Sequence, residues 1–393
     1  MKPVAHARVG DQDTAAASEA QQSAGTTVFA RDRVHSTAGA PSEDVASILR
    51  PRRVAPSRIL ICRPNARLGN TLLLTPLVQE IEATFPGAEL DILTACPSAE
   101  EIFREFSCVR TVYRLPRRGA RHPLRQLLTL LRASRTRYDL VLDPCPKSWS
   151  SRFTMRLLRA QLKLGFSSPQ KTRGTGINVP IEQAPVHMAA YPVHLLRYGM
   201  SAFKDETESA PVPKLSIGLT AGEMGFGRRK LRQLMHAPDS TPVLAVATRA
   251  TGAKEFPILW WRQMLRQVAA EMPHVRVLEI LAATGGARLP ECPGYFSTRI
   301  RRLAAVINAA DCFVSADSGL MHLGAATTTT TLGLFKITEP SVYAPYGGLN
   351  RALSVDDRAP PRVAEEIVQL LCETRRPNTH ASRSGHVGHT TPP

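Results

Sequence analysis

Short apolar runs and longer amphipathic runs alternate along most of the chain. The run RILICR (58–63) is typical of a buried strand, and NTLLLTPLVQEIEATF (70–85) repeats its apolar side chains at helical spacing. ELDILTA (89–95) and YDLVLDP (138–144) predict two further strands, and PLRQLLTLLRASR (123–135) predicts a basic amphipathic helix between them. Strands that alternate with helices in this way indicate a parallel sheet with helices on both faces.

A second series of the same kind follows a proline-rich segment. PVLAVAT (242–248) and DCFVSAD (311–317) predict buried strands, while PILWWRQMLRQVAAEM (257–272) predicts a helix with a proline at each end. The helical run RVAEEIVQLLCET (362–374) closes the pattern. The fold class is therefore α/β, with two Rossmann-like parallel-sheet lobes of similar size.

The same pattern sets the domain boundaries. Residues 1–55 and 376–393 are polar and lack apolar periodicity, so we expect both tails to be disordered. The two lobes are assigned to residues 56–215 and 241–375, with a linker over 216–240.

The formal net charge of +17 predicts an anionic partner, such as a phosphate-bearing ligand, nucleic acid or an acidic membrane surface. Sixteen lysines and arginines lie between Arg110 and Arg173, against two acids. Aromatic side chains are not interleaved with these charges and no nucleic-acid module is recognisable, so we expect no nucleic-acid partner. The helix over 123–137 has two interpretations. It contacts an anionic bilayer, or it is a solvated helix that covers the sheet.

The seven cysteines form no Cys-x-x-Cys pair, which favours reduced thiols and a cytoplasmic location. Histidine and cysteine never combine at zinc-ligand spacing, so we expect no metal site. No apolar run approaches the ~18 residues of a membrane-spanning helix, so we expect any membrane contact to be peripheral.

The segment RLGNT, from Arg67 to Thr71, joins the first strand to its helix. Ligands bind at the carboxyl ends of strands in open α/β sheets, where a glycine admits a ligand to the backbone and a helix N-terminus attracts anions. The single glycine argues against a dinucleotide site, which needs three. The alternative is that Gly69 and Asn70 only make the turn and cap the helix.

The segment VSADSGLMHLGAA (314–326) gathers a second set of polar side chains behind a strand. Asp317 ends the strand, and His322 lies one helical turn beyond it. Between them Ser318 and Gly319 begin a helix whose backbone N–H groups could hold a phosphate. The alternative is a turn capped by Asp317 or Ser318, with His322 packed against the sheet.

The loop ATRATGAKEFP (247–257) also follows a strand. It carries Thr248 and Lys254, and lysine is a compact cation suited to phosphate oxygens. A surface lysine usually has no specific role, but this position at the carboxyl end of a strand favours a ligand contact for Lys254, with Thr248 beside it.

Together these segments resemble glycosyltransferase family 9, the heptosyltransferases of lipopolysaccharide core synthesis. RLGNTLLLTPLVQEIEATFPGAELDILT is similar to the opening of the family, GAKEFP…W to its lysine loop, and DCFVSADSGLMHLGAATTTTTLGLF…TEPSVYAPYG to its most diagnostic block. The resemblance covers residues 57–375. It implies a GT-B fold, in which two Rossmann-like lobes enclose the active site in the cleft between them.

The resemblance also implies an activity. A sugar moves with inversion from a nucleotide-diphosphate donor, usually ADP-heptose, to a lipid-linked oligosaccharide at the cytoplasmic face of the inner membrane. Donor phosphates would contact Lys254 and the set Asp317, Ser318, Gly319 and His322. No metal or other cofactor is implied, because fixed cations and N–H groups stabilise the leaving group.

One position departs from the family pattern. Members commonly carry an Asp after the glycine of the first loop as the general base, and here that residue is Asn70. An amide cannot accept a proton at neutral pH. Asn70 then orients the acceptor, with Arg67, Gly69 and Thr71 nearby, and another carboxylate such as Asp143 is the base. Otherwise transfer is slow or absent, and the chain is a saccharide-binding protein.

Overall fold

The computed structural model describes residues 55–375 apart from 118, 146–147, 167–176, 180–184, 201–209, 239, 284–285 and 356–359. The predicted disorder of the two tails concerns residues that lie, apart from residue 55, outside this part of the chain. The described residues form two parallel sheets with helices packed on them, which confirms the predicted α/β fold with two Rossmann-like lobes.

The first lobe is a six-stranded parallel sheet with strand order β3-β2-β1-β4-β5-β6. Its strands are β1 (Arg58–Arg63), β2 (Glu89–Thr94), β3 (Val109–Arg114), β4 (Arg137–Asp143), β5 (Arg159–Phe166) and β6 (Ile177–Val179). Its helices are α1 (Leu68–Leu72), α2 (Thr75–Thr84), α3 (Ala99–Phe103), α4 (Pro123–Arg135), α5 (Trp149–Leu157) and α6 (Ala190–Met200).

The second lobe is also a six-stranded parallel sheet, with order β12-β11-β10-β7-β8-β9. Its strands are β7 (Val243–Ala247), β8 (Arg276–Ile280), β9 (Gly294–Tyr295), β10 (Cys312–Ala316), β11 (Thr330–Phe335) and β12 (Arg351–Ser354). Its helices are α7 (Ala221–Met235), α8 (Ile258–Glu271), α9 (Ile300–Asn308), α10 (Gly319–Ala325), α11 (Pro340–Tyr343) and α12 (Pro360–Arg375).

Strand β1 is buried on both faces, as its uninterrupted apolar run predicts. Ile59 and Ile61 pack into the core that contains α2 and α6. Leu60 and Cys62 pack on the opposite face of the sheet with α4 and α5. Burying an aliphatic side chain of this size contributes roughly 1.5–3 kcal/mol, so this one strand helps to hold helices on both sides of the sheet.

The helix predicted over residues 70–85 is two helices. It begins earlier, at Leu68, and is interrupted between α1 and α2. Pro76 has no amide hydrogen to donate to the carbonyl of Leu72, and its ring crowds that carbonyl. The hydroxyl of Thr75 donates to the Leu72 carbonyl at 2.8 Å instead. The proline therefore ends the short helix that carries the first candidate loop.

The predicted linker over 216–240 contains helix α7. Thr220 and Glu223 form a capping box at its start, which is a sequence signal for a helix N-terminus. Helix α7 packs against α9 of the second lobe, so most of this segment belongs to that lobe. One apolar core also runs through both lobes, from Ile59 in β1 to Ala245 in β7.

Arg301 joins the lobes from the first turn of α9. Its guanidinium donates to both carboxylate oxygens of Glu223 at 2.6 Å and to the carbonyls of Ile217 and Gly218 at 2.7 Å. It also donates to the carbonyl of Glu101 in the first lobe at 3.1 Å. These hydrogen bonds lower the pKa of Glu223 to about 2, so the buried ion pair persists at any physiological pH.

None of the seven cysteines, all within the described residues, forms a disulfide. This agrees with the reduced thiols expected from their spacing, and the compartment stays a prediction.

Arg301→Ala should lower the free energy of unfolding by about 3–5 kcal/mol, because it leaves the Glu223 carboxylate and several carbonyls without their donor. The stability of Arg301→Lys should lie between those of the natural chain and Arg301→Ala, since lysine keeps the charge but loses the planar fork. Urea denaturation measures both. The neighbouring exposed Arg302→Ala is the matched control and should cost less than about 1 kcal/mol. Equal losses for Arg301→Ala and Arg302→Ala would contradict this role.

Candidate functional site

Helices α1 and α10 touch across the cleft, and two glycines make this contact possible. A Cβ at Gly69 would lie 2.6 Å from Cδ2 of His322, closer than real Cβ atoms approach. A Cβ at Gly319 would lie 3.1 Å from Cβ of Leu68. Neither glycine has a positive φ. Gly69 is therefore needed for close approach rather than for a turn, and the first loop and the 317–322 segment form one surface.

The other polar residues of the first loop have different surroundings. Asn70 lies inside α1, where the N-cap position belongs to Arg67, so Asn70 does not cap the helix. Its side chain is partly exposed and has no hydrogen-bond partner among the described residues. Thr71 is buried and donates its hydroxyl to the carbonyl of Arg67 at 3.2 Å. Arg67 itself is exposed. Asn70 and Arg67 are thus the two polar side chains of the Arg67–Thr71 loop that are open to a ligand.

The loop between β7 and α8 presents Lys254 from a 3₁₀ turn. Arg288 holds the two ends of this loop together. Its guanidinium donates to the carbonyl of Thr248 at 2.9 Å and to the carbonyl of Phe256 at 3.1 Å. It also pairs with Glu255 at 3.2 Å. Arg288, which lies outside this loop, therefore fixes the position of Lys254.

Lys254 and Asp317 form an ion pair beside the contact between α1 and α10. The Nζ of Lys254 lies 2.5 Å from Oδ2 of Asp317, and the hydroxyl of Thr338 donates to the same oxygen at 2.6 Å. The side chain of Lys254 is 29 % exposed, whereas that of Asp317 is 7 % exposed. The ammonium can consequently turn toward an incoming anion while Asp317 stays hydrogen-bonded to Thr338.

Neither candidate cap residue caps α10. Ser318 occupies the N-cap position without a side-chain hydrogen bond to the helix, and its hydroxyl pairs with that of Ser315 at 3.2 Å. The carboxylate of Asp317 is directed to Lys254 and Thr338. The helix therefore begins at Ser318, as the capped-turn interpretation has it, but without a side-chain cap. Because α10 has only seven residues, we assign the attraction for anions to Lys254 rather than to a helix dipole.

His322 lies at the centre of the contact and is uncharged. Burial lowers its pKa to about 4. Its Nδ1 is buried and has no hydrogen-bond partner in the described part of the chain. His322 does not simply pack against the sheet, because its ring faces Gly69 of the first lobe. A buried nitrogen without a partner is costly.

A second histidine, His187, lies near His322 and was not predicted from the sequence. Burial also lowers the pKa of His187 to about 4. Its Nδ1 accepts the amide N–H of Ala189 at 3.1 Å, so Nε2 carries the proton and donates to the carbonyl of Ala344 at 3.0 Å. It thereby ties the segment before α6 to the loop after α11. In the sequence only its residue type, a histidine, pointed to a functional role, and that signal was too weak for a prediction.

Thr248 supports the second lobe from within. It is buried, and its hydroxyl donates to Glu279 at 2.7 Å. Glu279 is buried too and also accepts the amide N–H groups of Arg288 and Leu289, each at 3.0 Å. A donor contact by the Thr248 hydroxyl would require it to leave Glu279. Glu279 and Arg288 were not singled out in the sequence, because neither lies in a motif.

Asp143 lies at the carboxyl end of β4 and is 4 % exposed. Its Oδ1 accepts the hydroxyl of Ser151 and the amide N–H of Cys145, the latter at 3.0 Å. Burial raises the pKa of Asp143 to about 6, against the opposing effect of these hydrogen bonds and of Arg152 and Arg63. These partners differ from those of Lys254 and Asp317, so the structure does not join Asp143 to that ion pair.

The described part of the chain shows neither a metal site nor a membrane span. No group of three or more His, Cys, Asp or Glu side chains there could hold a metal ion. No helix found there combines the length and the apolar character needed to cross a bilayer.

Comparisons with known proteins agree with this geometry. Residues 127–370, well over half of the chain, match the model of glycosyltransferase family 9 (heptosyltransferase). The match includes Lys254 and the 317–322 segment and begins after the first loop. No curated protein sequence matches the chain significantly.

Solved structures of related proteins share the fold. A family 9 glycosyltransferase from Veillonella parvula is 14 % identical, with a TM-score of 0.63 over 81 % of this chain and 97 % of that one. The ADP-heptose lipopolysaccharide heptosyltransferase II of Escherichia coli is 18 % identical, with a TM-score of 0.62 over 80 % and 99 %. The E. coli heptosyltransferase WaaC with ADP is 18 % identical, with a TM-score of 0.61 over 81 % and 99 %.

These likenesses establish the two-lobe GT-B fold. Together with the family match, they show that the chain belongs to glycosyltransferase family 9, the heptosyltransferase family, and is a glycosyltransferase.

Proposed function

We propose that this glycosyltransferase moves a sugar from a nucleotide-diphosphate donor, with ADP-heptose the first candidate, to a lipopolysaccharide core or related lipid-linked acceptor. The observation that carries the proposal is the position of Lys254, a partly exposed cation beside Asp317 and the contact between the lobes. The names of two similar E. coli structures support the donor, since they record ADP-heptose and WaaC with ADP-2-deoxy-2-fluoro heptose. A lipid-linked acceptor would put the reaction at the cytoplasmic face of the inner membrane.

In this proposal the donor diphosphate takes the place of Asp317 as the anion nearest Lys254. The Lys254 ammonium would then stabilise the negative charge that grows on the diphosphate as its bond to the sugar breaks. His322 is neutral, so it would contact the donor through a hydrogen bond rather than through charge. The chain's own side chains provide these interactions, and no metal or cofactor is invoked.

The acceptor would approach from the first lobe. Its hydroxyl oxygen attacks the anomeric carbon on the side opposite the diphosphate, so the new glycosidic bond forms with inversion as the old bond breaks. The hydroxyl proton leaves to a base or to water, and the nucleoside diphosphate leaves with the bonding electron pair. Asn70 lies on α1 next to Gly69, and its exposed amide would orient the acceptor hydroxyl without removing its proton.

Lys254→Ala should lower turnover about a hundredfold or more, because the leaving diphosphate loses its cation. Release of ADP from ADP-heptose in the presence of acceptor measures the rate. Lys230→Ala is the matched control, since Lys230 lies on α7 and donates to Gln233 of the same helix. Unchanged turnover in Lys254→Ala would remove Lys254 from the mechanism.

Asn70→Asp should raise turnover, by on the order of a hundredfold, because it supplies the carboxylate base that the loop lacks. Asn70 is partly exposed, so the new charge is tolerated and the melting temperature should stay close to that of the natural chain. Asn70→Ala should be slower than the natural chain, since it cannot orient the acceptor. If Asn70→Asp is instead slower, the amide itself is the working group.

Asp143→Asn distinguishes a base from a structural carboxyl. We expect turnover to fall less than about tenfold, because Asp143 is buried and hydrogen-bonded to Ser151 and Cys145. A loss of a hundredfold or more would identify Asp143 as the base.

The same variant also has a pH signature. The folded pKa of Asp143 is raised to about 6, so its contribution to stability is greatest below its unfolded pKa and is lost as the pH rises through 6. Asparagine cannot ionise, so the stability of Asp143→Asn relative to the natural chain should increase between pH 4 and pH 7, by up to about 3 kcal/mol. A difference that does not change with pH would contradict the raised pKa.

A further inference from the structure

Helix α4 carries a row of leucines that points away from the protein. Leu124, Leu127, Leu128 and Leu131 are between 47 % and 75 % exposed. The side chains of α4 that cover the sheet are Leu130 and Ala133, on the opposite side of the helix. The helix therefore covers the sheet, as one of its two interpretations predicts, but its leucine row is not the surface that does so.

The neighbouring helix exposes two further large apolar side chains. Helices α4 and α5 contact one another and pack on the same face of the first-lobe sheet. Phe153 and Leu157 of α5 are 63 % and 43 % exposed. We call these two side chains and the four leucines of α4 the leucine face. Six large apolar side chains exposed on two adjacent helices are more than scattered surface residues and indicate a binding surface.

The charge around the leucine face has one sign. Arg121, Arg125 and Arg132 are exposed along α4 and just before it, and Arg159 is exposed just after α5. No acidic residue occurs over 106–138 or 144–181, which include both helices. A second copy of this chain would bring arginines against arginines, so self-association through this face is electrostatically unfavourable. Exposed leucines within a basic rim match an anionic bilayer, which offers apolar chains below negative headgroups.

The leucine face also has a defined position relative to the site. Helix α4 begins after the carboxyl end of β3, and α5 begins after the carboxyl end of β4. The first turns of both helices therefore lie at the same edge of the sheet as the loop that leads from β1 into Gly69 and Asn70. A bilayer against this face would approach the first loop only at that edge, because α4 and α5 pack on the face of the sheet opposite to α1 and α2.

We propose that the leucine face is a membrane-docking surface, with its leucines in the headgroup layer of an anionic bilayer and its arginines on the lipid phosphates. The contact deepens the proposed function, because it would hold the first lobe beside a lipid-linked acceptor. It does not depend on that function, since docking needs no nucleotide sugar.

Co-sedimentation of the full chain with vesicles tests the surface. The natural chain should bind vesicles of phosphatidylcholine with phosphatidylglycerol at least about tenfold more tightly than vesicles of phosphatidylcholine alone. The combined Leu124→Ser, Leu127→Ser, Leu128→Ser and Leu131→Ser variant should bind the anionic vesicles at least about tenfold less tightly. Its four positions are exposed, so its melting temperature should be close to that of the natural chain.

A matched control removes leucines of similar exposure elsewhere. Leu259 and Leu349 are 71 % and 75 % exposed on the second lobe, and Leu259→Ser with Leu349→Ser should leave vesicle binding unchanged. Arg125→Gln with Arg132→Gln is a second variant that keeps every leucine, and it should weaken binding to anionic vesicles only.

Three results would overturn the proposal. The first is that the natural chain does not bind anionic vesicles. The second is that the four-leucine variant binds them as well as the natural chain does. The third is that sedimentation velocity shows the leucine changes abolishing a dimer rather than vesicle binding. Sugar transfer to a water-soluble acceptor in the same preparations separates the two proposals. If that transfer continues while vesicle binding fails, the docking surface alone is wrong.

Discussion

The contact between Gly69 and His322 is the constraint on which the site depends. A side chain at position 69 would overlap the imidazole ring, so α1 and α10 reach this distance only because a glycine is present. Gly319 has the same role from the other lobe against Leu68. The consequence is that the first loop, which carries Asn70, meets the segment that begins with Asp317, the partner of Lys254.

Burial at this contact decides the charge state of the site. His322 and His187 both lose the ability to ionise near neutral pH, because desolvation lowers the pKa of each to about 4. The side chain of Lys254 stays partly exposed, and the hydrogen bonds of Arg288 to the carbonyls of Thr248 and Phe256 hold its loop in place. The site therefore combines the Lys254–Asp317 ion pair with two neutral imidazoles, and Lys254 is its group suited to an anionic sugar donor.

The sequence predicted those parts of the molecule whose physical cause is local. Buried strands such as β1 appear as uninterrupted apolar runs, and the Asp317–His322 segment follows one of them. The break that Pro76 makes between α1 and α2 and the Thr220–Glu223 cap of α7 are also local. The strong apolar pattern of residues 70–85 obscured the first, and the glycines of α7 obscured the second. The closeness of Gly69 to His322 and the role of Arg288 depend on residues distant in sequence, so no local pattern could reveal them.

The central claim is that Lys254 and its neighbours bind the diphosphate of a nucleotide sugar. The most direct measurement is the melting temperature of the full chain across ADP-, UDP- and GDP-sugars, because a ligand that binds only the native state raises it. The increase should be saturable, largest with ADP-heptose and much reduced in Lys254→Ala. A diphosphate site at Lys254 would be contradicted if no nucleotide sugar raises the melting temperature, or if Lys254→Ala responds as the natural chain does.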